Sequence, residues 1–415
     1  MNRLQSLAAV LTVLFLSQAT LAADADNWPR FRGPNGAGTS DAATIPTQWA
    51  EKDYNWKVEL PGGGHSSPVV WGDRIFVTSG LADTGRRIIL CLKAADGSVL
   101  WKREYESPAC KMNSLNSYGS VTPPVDQDYV FVAWAVPAKY TVVALDHNGR
   151  EVWQRDLGPW VSQHGHGPSP MVWGDLVIVP NDQDGKSFLV ALDRKTGETR
   201  WQAERKSGKA AYATPCLLGP ADSPEIVLGS TAEGMYGIDA KTGKPLWAAP
   251  DVFPDPKRVV ASPVVVGGLV LGQCGEGGAG LHVVAVRPPA KQGEKAEVAW
   301  KVTQSAPYVP MPVVRGNLVF LWSDSGTVAC VRAASGEEVW REKVGGNYYG
   351  SPVRVGDRLY CISTKGEVVV LAAGEKYELL ARNPLGEMSH ATPAVAGGRM
   401  YLRTWSHLIS IGGKS

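Results

Sequence analysis

Residues 191–201 read ALDRKTGETRW, and this frame decides the fold. An apolar stretch ends in a tight turn built on Asp and Thr-Gly, and a second extended stretch ends at Trp201. Glycine supplies the left-handed backbone that such a turn needs, and the flanking residues favour strands. The frame recurs at Cys91–Trp101, Ala144–Trp153, Gly237–Trp247 and Cys330–Trp340, and with an insertion at Ala285–Trp300.

A second repeated element precedes each of these frames. Residues 67–77 read SPVVWGDRIFV, which is Ser-Pro, a short apolar stretch, a Gly-Asp turn and an apolar strand. It occurs eight times with Ser, Thr or, once, Met before the proline, and successive prolines are 40 to 55 residues apart. These prolines are Pro68, Pro123, Pro170, Pro215, Pro263, Pro312, Pro352 and Pro393.

Each repeat predicts four short strands joined by Gly-rich turns, which is typical of a β-propeller blade. We therefore predict an all-β fold, an eight-bladed β-propeller of four-stranded antiparallel blades. The eighth copy ends at residues 409–411 without an outer strand, and residues 53–58 are a candidate for that strand. Closure of the last blade by this N-terminal strand would leave no open sheet edge. Seven blades is the alternative if one degenerate copy is not a blade.

The tryptophan content follows from the same repeat. The chain has 15 Trp but only 7 Phe. We interpret the tryptophans that end the outer strands as structural, each packed on a small residue and on the turn Gly of a neighbouring blade. They are Trp56, Trp101, Trp153, Trp201, Trp247, Trp300 and Trp340.

Composition excludes several classes of function. Lys and Arg total 42 against 40 Asp and Glu, so the charge balance predicts no nucleic-acid partner and no binding to an anionic membrane surface. The six cysteines are never adjacent and form no CxxC pair, so we interpret them as buried free thiols and not as a metal or redox motif.

The N-terminus predicts export. Arg3 precedes an apolar run at residues 7–16 and small residues up to Ala22, so we expect residues 1–22 to be a signal peptide. No Cys lies near that cleavage site and no later run is long and apolar enough to span a membrane. We therefore expect a soluble periplasmic or extracellular protein that is neither lipid-anchored nor membrane-spanning.

The mature chain is divided into residues 23–52, an N-terminal strap, and residues 53–415, a single propeller domain. The strap contains WPRFRGPNG at residues 28–36. We expect Trp28 and Phe31 to pack on the propeller and Arg30 and Arg32 to lie at the surface, where charged side chains are usually found.

The small-x-Asp-x-x-Thr-Gly-x-x-x-Trp frame resembles the pyrroloquinoline-quinone-like (PQQ-like) repeat, over roughly residues 50–412. One group of such propellers is the quinoprotein alcohol and glucose dehydrogenases, which bind quinone and calcium. Resemblance to this group would imply the same cofactors here. Another group is non-enzymatic and includes BamB-like assembly lipoproteins. The strap sequence also resembles the start of exported, uncharacterised propellers of planctomycete-type bacteria.

Departures from the dehydrogenase pattern favour the second group. The adjacent cysteine pair of quinoprotein alcohol dehydrogenases is missing, and so are the long insertions that build their sites. The lipid-attachment Cys of the assembly lipoproteins is missing as well. Fold therefore transfers from the resemblance more securely than function does.

The channel mouth is the predicted place for a site. The residues just before each first strand would meet there, and they are rich in His and Tyr. They would either bind a small polar or planar ligand or a protein partner, or only solvate the mouth. The candidates are His65, Asn116, Tyr118, His164, His166, Tyr212, Tyr308, Tyr349 and His390.

A metal or a quinone has weaker support in the sequence. His164 and His166 would share one side of an extended chain, but a third ligand would have to come from another blade. Arg258, Glu276 and Asp324 are possible parts of a quinone and calcium site, and each is equally a turn or loop residue. We expect no cofactor, with PQQ and calcium as the alternative.

The predicted function is an exported, non-enzymatic binding or scaffold module, with envelope protein assembly as one setting. The alternative is a quinone-dependent alcohol or sugar dehydrogenase. No Gly-x-Ser-x-Gly motif or recognisable pair of carboxylates supports a hydrolase.

Overall fold

The computed structural model describes residues 27–253, 257–291 and 294–413, so the predicted signal peptide lies outside the described residues. Regular structure in these ranges is almost entirely β, apart from three single-turn 3-10 helices at Pro34–Gly36, Glu51–Asp53 and Pro250–Val252. None of the helices in these ranges has the length and hydrophobicity needed to cross a membrane.

Eight sheets follow one another along the chain and confirm the predicted eight-bladed propeller. Two short strands come first, β1 (Thr39–Ser40) and β2 (Trp56–Glu59). Blade 1 contains β3 (Val69–Trp71), β4 (Arg74–Gly80), β5 (Arg87–Lys93) and β6 (Val99–Tyr105), and blade 2 contains β7 (Tyr129–Val136), β8 (Lys139–Asp146) and β9 (Glu151–Asp156). Blade 3 contains β10 (Met171–Trp173), β11 (Leu176–Asn181), β12 (Ser187–Asp193) and β13 (Thr199–Arg205), and blade 4 contains β14 (Cys216–Leu218), β15 (Glu225–Ser230), β16 (Gly234–Asp239) and β17 (Pro245–Ala249).

The second half repeats this plan. Blade 5 contains β18 (Val264–Val266), β19 (Leu269–Glu276), β20 (Ala279–Arg287) and β21 (Glu297–Val302), and blade 6 contains β22 (Val313–Arg315), β23 (Leu318–Trp322), β24 (Thr327–Arg332) and β25 (Glu338–Lys343). Blade 7 contains β26 (Val353–Val355), β27 (Arg358–Ile362), β28 (Glu367–Ala372) and β29 (Leu379–Pro384), and blade 8 contains β30 (Ala394–Ala396), β31 (Arg399–Arg403) and β32 (His407–Gly412).

The N-terminal strand completes blade 8, as predicted. Strand β2 pairs antiparallel with β32, from Trp56 opposite Ser410 to Glu59 opposite His407. The ring is therefore closed by hydrogen bonds between the two ends of the propeller, and no blade is left with three strands at the seam.

Blade 2 departs from the common plan at its inner edge. Its first strand is reduced to a bridge between Val125 and Val130. Pro123 and Pro124 precede this bridge and lack backbone N–H groups, so they cannot continue a ladder.

The repeated tryptophans join neighbouring blades at the outer rim. Trp153 donates its indole N–H to the Arg194 carbonyl at 2.9 Å, and its ring covers Gly197 so closely that a Cβ there would lie 2.7 Å from it. The small residue of the motif faces the Trp across the same blade, as Ala191 faces Trp201. The same indole bond to a carbonyl of the next blade is made by Trp56, Trp101, Trp153, Trp201, Trp300 and Trp340.

Trp247 is the exception among the seven. Its indole N–H donates to the Glu225 carboxylate of its own blade at 2.6 Å. Blade 5 carries an insertion between Ala285 and Trp300, where other blades have the turn that meets the Trp.

A ring of hydroxyls joins the blades at the channel. It consists of the Ser and Thr side chains that precede the repeated prolines, and we call it the hydroxyl ring. Thr122 accepts the backbone N–H of Ser67 at 2.9 Å, and equivalent bonds join blades 2 to 3, 4 to 5, 6 to 7 and 7 to 8. The bond from the Thr392 N–H to the Ser67 hydroxyl, 3.2 Å, closes the ring across the seam. Its members are Ser67, Thr122, Ser169, Thr214, Ser262, Ser351 and Thr392.

The strap crosses the central channel. Trp28 exchanges two backbone hydrogen bonds with Val70 of blade 1, at 2.8 and 2.9 Å. Farther along, the Asn35 side chain pairs with the backbone of Leu217 in blade 4, and β1 then adds to β26 of blade 7 as a parallel strand. The strap therefore contacts inner strands on opposite sides of the ring before it reaches β2.

The prediction that Arg30 and Arg32 lie at the surface is wrong. They are 7% and 0% exposed. Arg30 donates to the Pro215 carbonyl, and Arg32 donates to the carbonyls of Pro312 and Pro352 at 2.9 and 3.1 Å. A guanidinium with five N–H groups can satisfy several channel carbonyls at once. Burial lowers the pKa of Arg32 to about 9, which leaves it charged at neutral pH. Trp28 is buried, and the half-exposed Phe31 packs against the cores of blades 5 and 6.

All six cysteines are described, and each is a free thiol. Five are buried and Cys110 is half-buried. Burial raises the pKa of Cys91 and of Cys216 to about 12. Cys274 lies within β19.

Two glycine substitutions test the tryptophan contact. Gly197→Ala and Gly174→Ala both place a side chain at positive φ, +72° and +55°, but only the Cβ at residue 197 meets a Trp ring. We expect Gly174→Ala to lower the free energy of unfolding by about 1 kcal/mol from backbone strain alone. Gly197→Ala should cost about 1–3 kcal/mol more, because Trp153 must move. Urea unfolding followed by Trp fluorescence measures both, and equal losses would contradict the contact.

Candidate functional site

A cavity of about 500 Å³ lies in the channel and opens to solvent. The hydroxyl ring lies in its wall, where Met311 takes the place of the hydroxyl residue in blade 6. Phe31 of the strap also lines it. Arg30 and Arg32 bond the carbonyls of prolines that directly follow the lining positions of the hydroxyl ring and Met311. The strap therefore crosses the channel just beyond these positions, and Phe31 contributes to the floor of the cavity.

Seven of the nine predicted site residues line this cavity. They come from the approaches to seven different blades, so no short segment of sequence contains the site. These seven are His65, Asn116, His164, Tyr212, Tyr308, Tyr349 and His390.

Tyr118 and His166 do not line the cavity. The Tyr118 hydroxyl is held by the backbone of Cys110, as acceptor at 2.8 Å and donor at 3.1 Å, and the Arg87 guanidinium lies over its ring. His166 is 8% exposed and packs edge-on against Tyr140 and Trp160. Gly165 explains the separation of His164 from His166, because its φ of +84° breaks the extended alternation that would place both rings on one side.

Two histidines stack at the seam between blades 1 and 8. The rings of His65 and His390 lie 4.3 Å apart at 26°, with Trp405 beside His65 and Tyr349 edge-on to His390. Burial, with smaller contributions from His390 and Arg403, lowers the pKa of His65 to about 2, and burial lowers the pKa of His390 as well. Both rings are therefore neutral near pH 7, and the Nδ1 atom of each is buried without a hydrogen-bond partner.

The loop between blades 1 and 2 leans over the blade 3 side of the mouth. The Asn116 side chain donates to the His164 carbonyl at 2.9 Å, and the Asn113 amide lies 3.2 Å from Nδ1 of His164. Leu115, at the same loop, lines the cavity and is 47% exposed. The mouth therefore combines polar groups that are held in place with one exposed apolar side chain.

Arg258 is the charged residue among the described lining residues. It is 8% exposed, and its backbone is fixed by two 3.0 Å hydrogen bonds with Gly275. Its guanidinium carbon lies 6.0 Å from the centroid of the Tyr212 ring. One of its terminal nitrogens, Nη1, is buried without a partner.

Sequence reasoning missed part of the cavity lining. The residue before each repeated proline is evident in the sequence, but the repeat pattern does not show that its side chain faces the channel. Asn113 and Leu115 carry no repeat signal, and Phe31 gave no indication that it enters the channel.

The described residues do not fit a quinone and calcium site. Glu276 is half exposed and pairs with Lys257. Asp324 is buried and accepts the backbone N–H groups of Tyr308 and Val309 at 2.6 and 3.1 Å. Neither lines the cavity, and the described lining residues include no carboxylate, whereas calcium requires a shell of oxygen ligands. Across the described residues, no three His, Cys, Asp or Glu side chains lie close enough to hold a metal ion.

The fold and its channel define a β-propeller built from PQQ-like repeats. The model of the family described as outer membrane protein assembly factor BamB matches residues 47–208, 89–342 and 324–412, and the chain belongs to that family. The matches overlap because similar blades allow the family model to align in more than one register.

Individual relatives come from two functional groups. The outer membrane protein assembly factor BamB of Burkholderia pseudomallei (strain K96243) is 21% identical over 386 residues, covering 89% of this chain and 91% of that protein. A polyvinylalcohol dehydrogenase of Pseudomonas sp is 26% identical over 245 residues, covering 55% of this chain and 33% of the dehydrogenase. The solved structure of a europium-containing methanol dehydrogenase has a TM-score of 0.66 at 14% identity and covers 94% of this chain and 92% of its own, a likeness of fold alone.

A buried histidine should make the protein acid-sensitive. Burial, with a smaller contribution from Arg87, lowers the pKa of His166 to about 3, so the folded state excludes a proton that the unfolded chain binds near pH 6.5. The contribution of His166 to the free energy of unfolding is therefore fully present above pH 6.5 and is lost as the pH falls from there toward 3. Between pH 7 and pH 5 the free energy of unfolding should fall by about 2 kcal/mol because of His166.

The test compares wild type with His166→Phe by urea unfolding at pH 7 and at pH 5. Phe keeps a ring among Tyr140 and Trp160 and cannot be protonated. The wild type should lose about 2 kcal/mol more than the variant between these pH values. Identical pH dependence would contradict the assignment.

Proposed function

We propose that this protein is an exported, non-enzymatic binding module of the cell envelope whose cavity receives a protein segment or a small polar ligand. In this proposal it acts as a scaffold in the assembly of envelope proteins. It works in the periplasm or outside the cell and needs no cofactor.

The cavity carries this proposal through its unused hydrogen-bonding capacity. The Nδ1 atoms of His65 and His390 are buried without partners, and the hydroxyl ring lies in the same wall. Apolar and aromatic surface with a few fixed polar groups is the usual composition of a binding pocket.

The family supports the assembly role. Its description names an outer membrane protein assembly factor, and the relative from Burkholderia pseudomallei that carries this name aligns over 91% of its length.

A quinone-dependent dehydrogenase acting on an alcohol or sugar is the second candidate. The 26% identity with a polyvinylalcohol dehydrogenase favours it. The lack of carboxylates among the described lining residues argues against it.

Site-specific photo-crosslinking tests partner binding at the mouth. A photoreactive amino acid replaces Leu115, which lines the cavity, or Leu379 on the outer strand of blade 7, and their exposed fractions are 47% and 40%. In envelopes from the native host, we expect a defined protein adduct from position 115 and none from position 379. Equal adducts at both positions, or no adduct at 115, would count against partner binding at the mouth.

Reconstitution tests the dehydrogenase. Purified protein is mixed with PQQ and calcium and assayed by absorbance and by dye reduction with alcohols and sugars. We expect no stoichiometric uptake and no reduction above a sample without protein. Stoichiometric uptake with substrate oxidation would establish the second candidate and remove the first.

A further inference from the structure

Arg258 places a buried positive charge at the cavity wall without a carboxylate partner among the described residues. Its Nη1 atom is buried and unbonded, although the residue is 8% exposed and borders the open cavity. A buried guanidinium with a free N–H is costly unless something accepts that hydrogen bond. The side chain therefore keeps an unused hydrogen-bond donor next to the cavity.

The nearby carboxylates are occupied elsewhere. Asp324 accepts two backbone N–H groups, and Asp184 accepts the backbone N–H groups of Ala210 and Gln163 at 2.7 and 3.1 Å. Glu276 pairs with Lys257. None of these three carboxylates is paired with Arg258.

The other side chains described in the lining of the cavity include no Lys, Arg, Asp or Glu. The Tyr212 hydroxyl bonds Ser162 at 2.9 Å, and the ring of Tyr308 lines the same side. The glycines at positions 277 and 278 also border the cavity, and a Cβ built on either would meet no other atom within 4 Å. The cavity is therefore open at this part of its wall.

We propose that the cavity binds a carboxylate anion, with Arg258 as its anchor. This inference rests on the proposed binding function and defines the chemistry of the ligand. A carboxylate matches the planar fork of a guanidinium and would balance its charge. A cation would meet Arg258 and find no described carboxylate in the lining.

Two sources could supply such a carboxylate, a free organic acid or the C-terminus of a peptide. The cavity of about 500 Å³ can take either a small acid or the last residues of a chain entering from the mouth. Matched acid and amide probes separate charge from shape.

The experiment measures binding of two probe pairs by calorimetry and by ligand-observed NMR. One pair is benzoate and benzamide, and the other is N-acetyl-trialanine as free acid and as C-terminal amide. We expect the acid of at least one pair to bind about tenfold more tightly than its amide, because a charged acceptor strengthens the bond to Arg258. The pair that shows the preference identifies the source.

Variants assign the preference to Arg258. Arg258→Gln removes the charge, and the backbone bridge to Gly275 does not depend on the side chain, so the variant should fold. We expect its acid-to-amide ratio to fall to about one while binding of the amide stays within about twofold. Arg258→Lys should keep part of the preference, and Arg86→Gln, which removes a surface charge paired with Glu104 and Glu106, should leave it unchanged. Thermal melts verify that each variant folds.

The outcomes separate this inference from the proposed function. If acids and amides bind equally to the wild type, the anion site is wrong while binding at the cavity stands. If Arg258→Gln keeps the preference, Arg258 is not the anchor. If none of the four probes binds, the anion site is overturned, and the cross-linking at Leu115 decides the binding function independently.

Discussion

The closed ring depends on hydrogen bonds between neighbouring blades, and each pair of neighbours is joined at the channel, at the rim or at both. At the channel, the backbone N–H before a repeated proline meets the hydroxyl of the next blade, as Ser67 meets Thr122. At the rim, a Trp indole meets a turn carbonyl of the next blade, as Trp153 meets Arg194. Each blade would expose its two faces without its neighbours, so these bonds stabilise a blade only when the neighbouring blade is present. The bond between Thr392 and Ser67 joins the last blade to the first.

This repetition explains why the sequence predicts the architecture so well. A Trp, a turn Gly and a Pro in the same order are local signals, and the eight copies of the Pro and seven of the Trp reinforce one another. The same logic predicts β2 as the missing strand, because a ring of blades with one open edge needs it. The exceptions are local as well: Trp247 bonds Glu225 of its own blade, and paired prolines shorten the inner edge of blade 2.

The site is less predictable because its contacts do not repeat. Arg30 and Arg32 belong to a charged, Gly-rich segment that composition assigns to the surface, yet the channel offers carbonyls that only distant inner strands provide. His166 turns away from the cavity through the backbone of a single residue, Gly165. Analogy between blades predicts which residues lie at the mouth. It does not predict the direction in which each side chain points.

The cavity combines a shared frame with parts that belong to this chain. Its wall is the hydroxyl ring, which follows from the repeat, and its floor includes Phe31 from the strap. The family model begins to match at residue 47, after Phe31 and the buried arginines. Family membership thus accounts for the propeller and its wall, while the floor depends on a segment outside the match. A ligand of the cavity must fit both the wall and the floor. The relatives can therefore indicate the class of function but not the ligand. The chemistry of the ligand has to be read from the residues that differ from blade to blade, and among those Arg258 carries a full charge with an unused hydrogen bond.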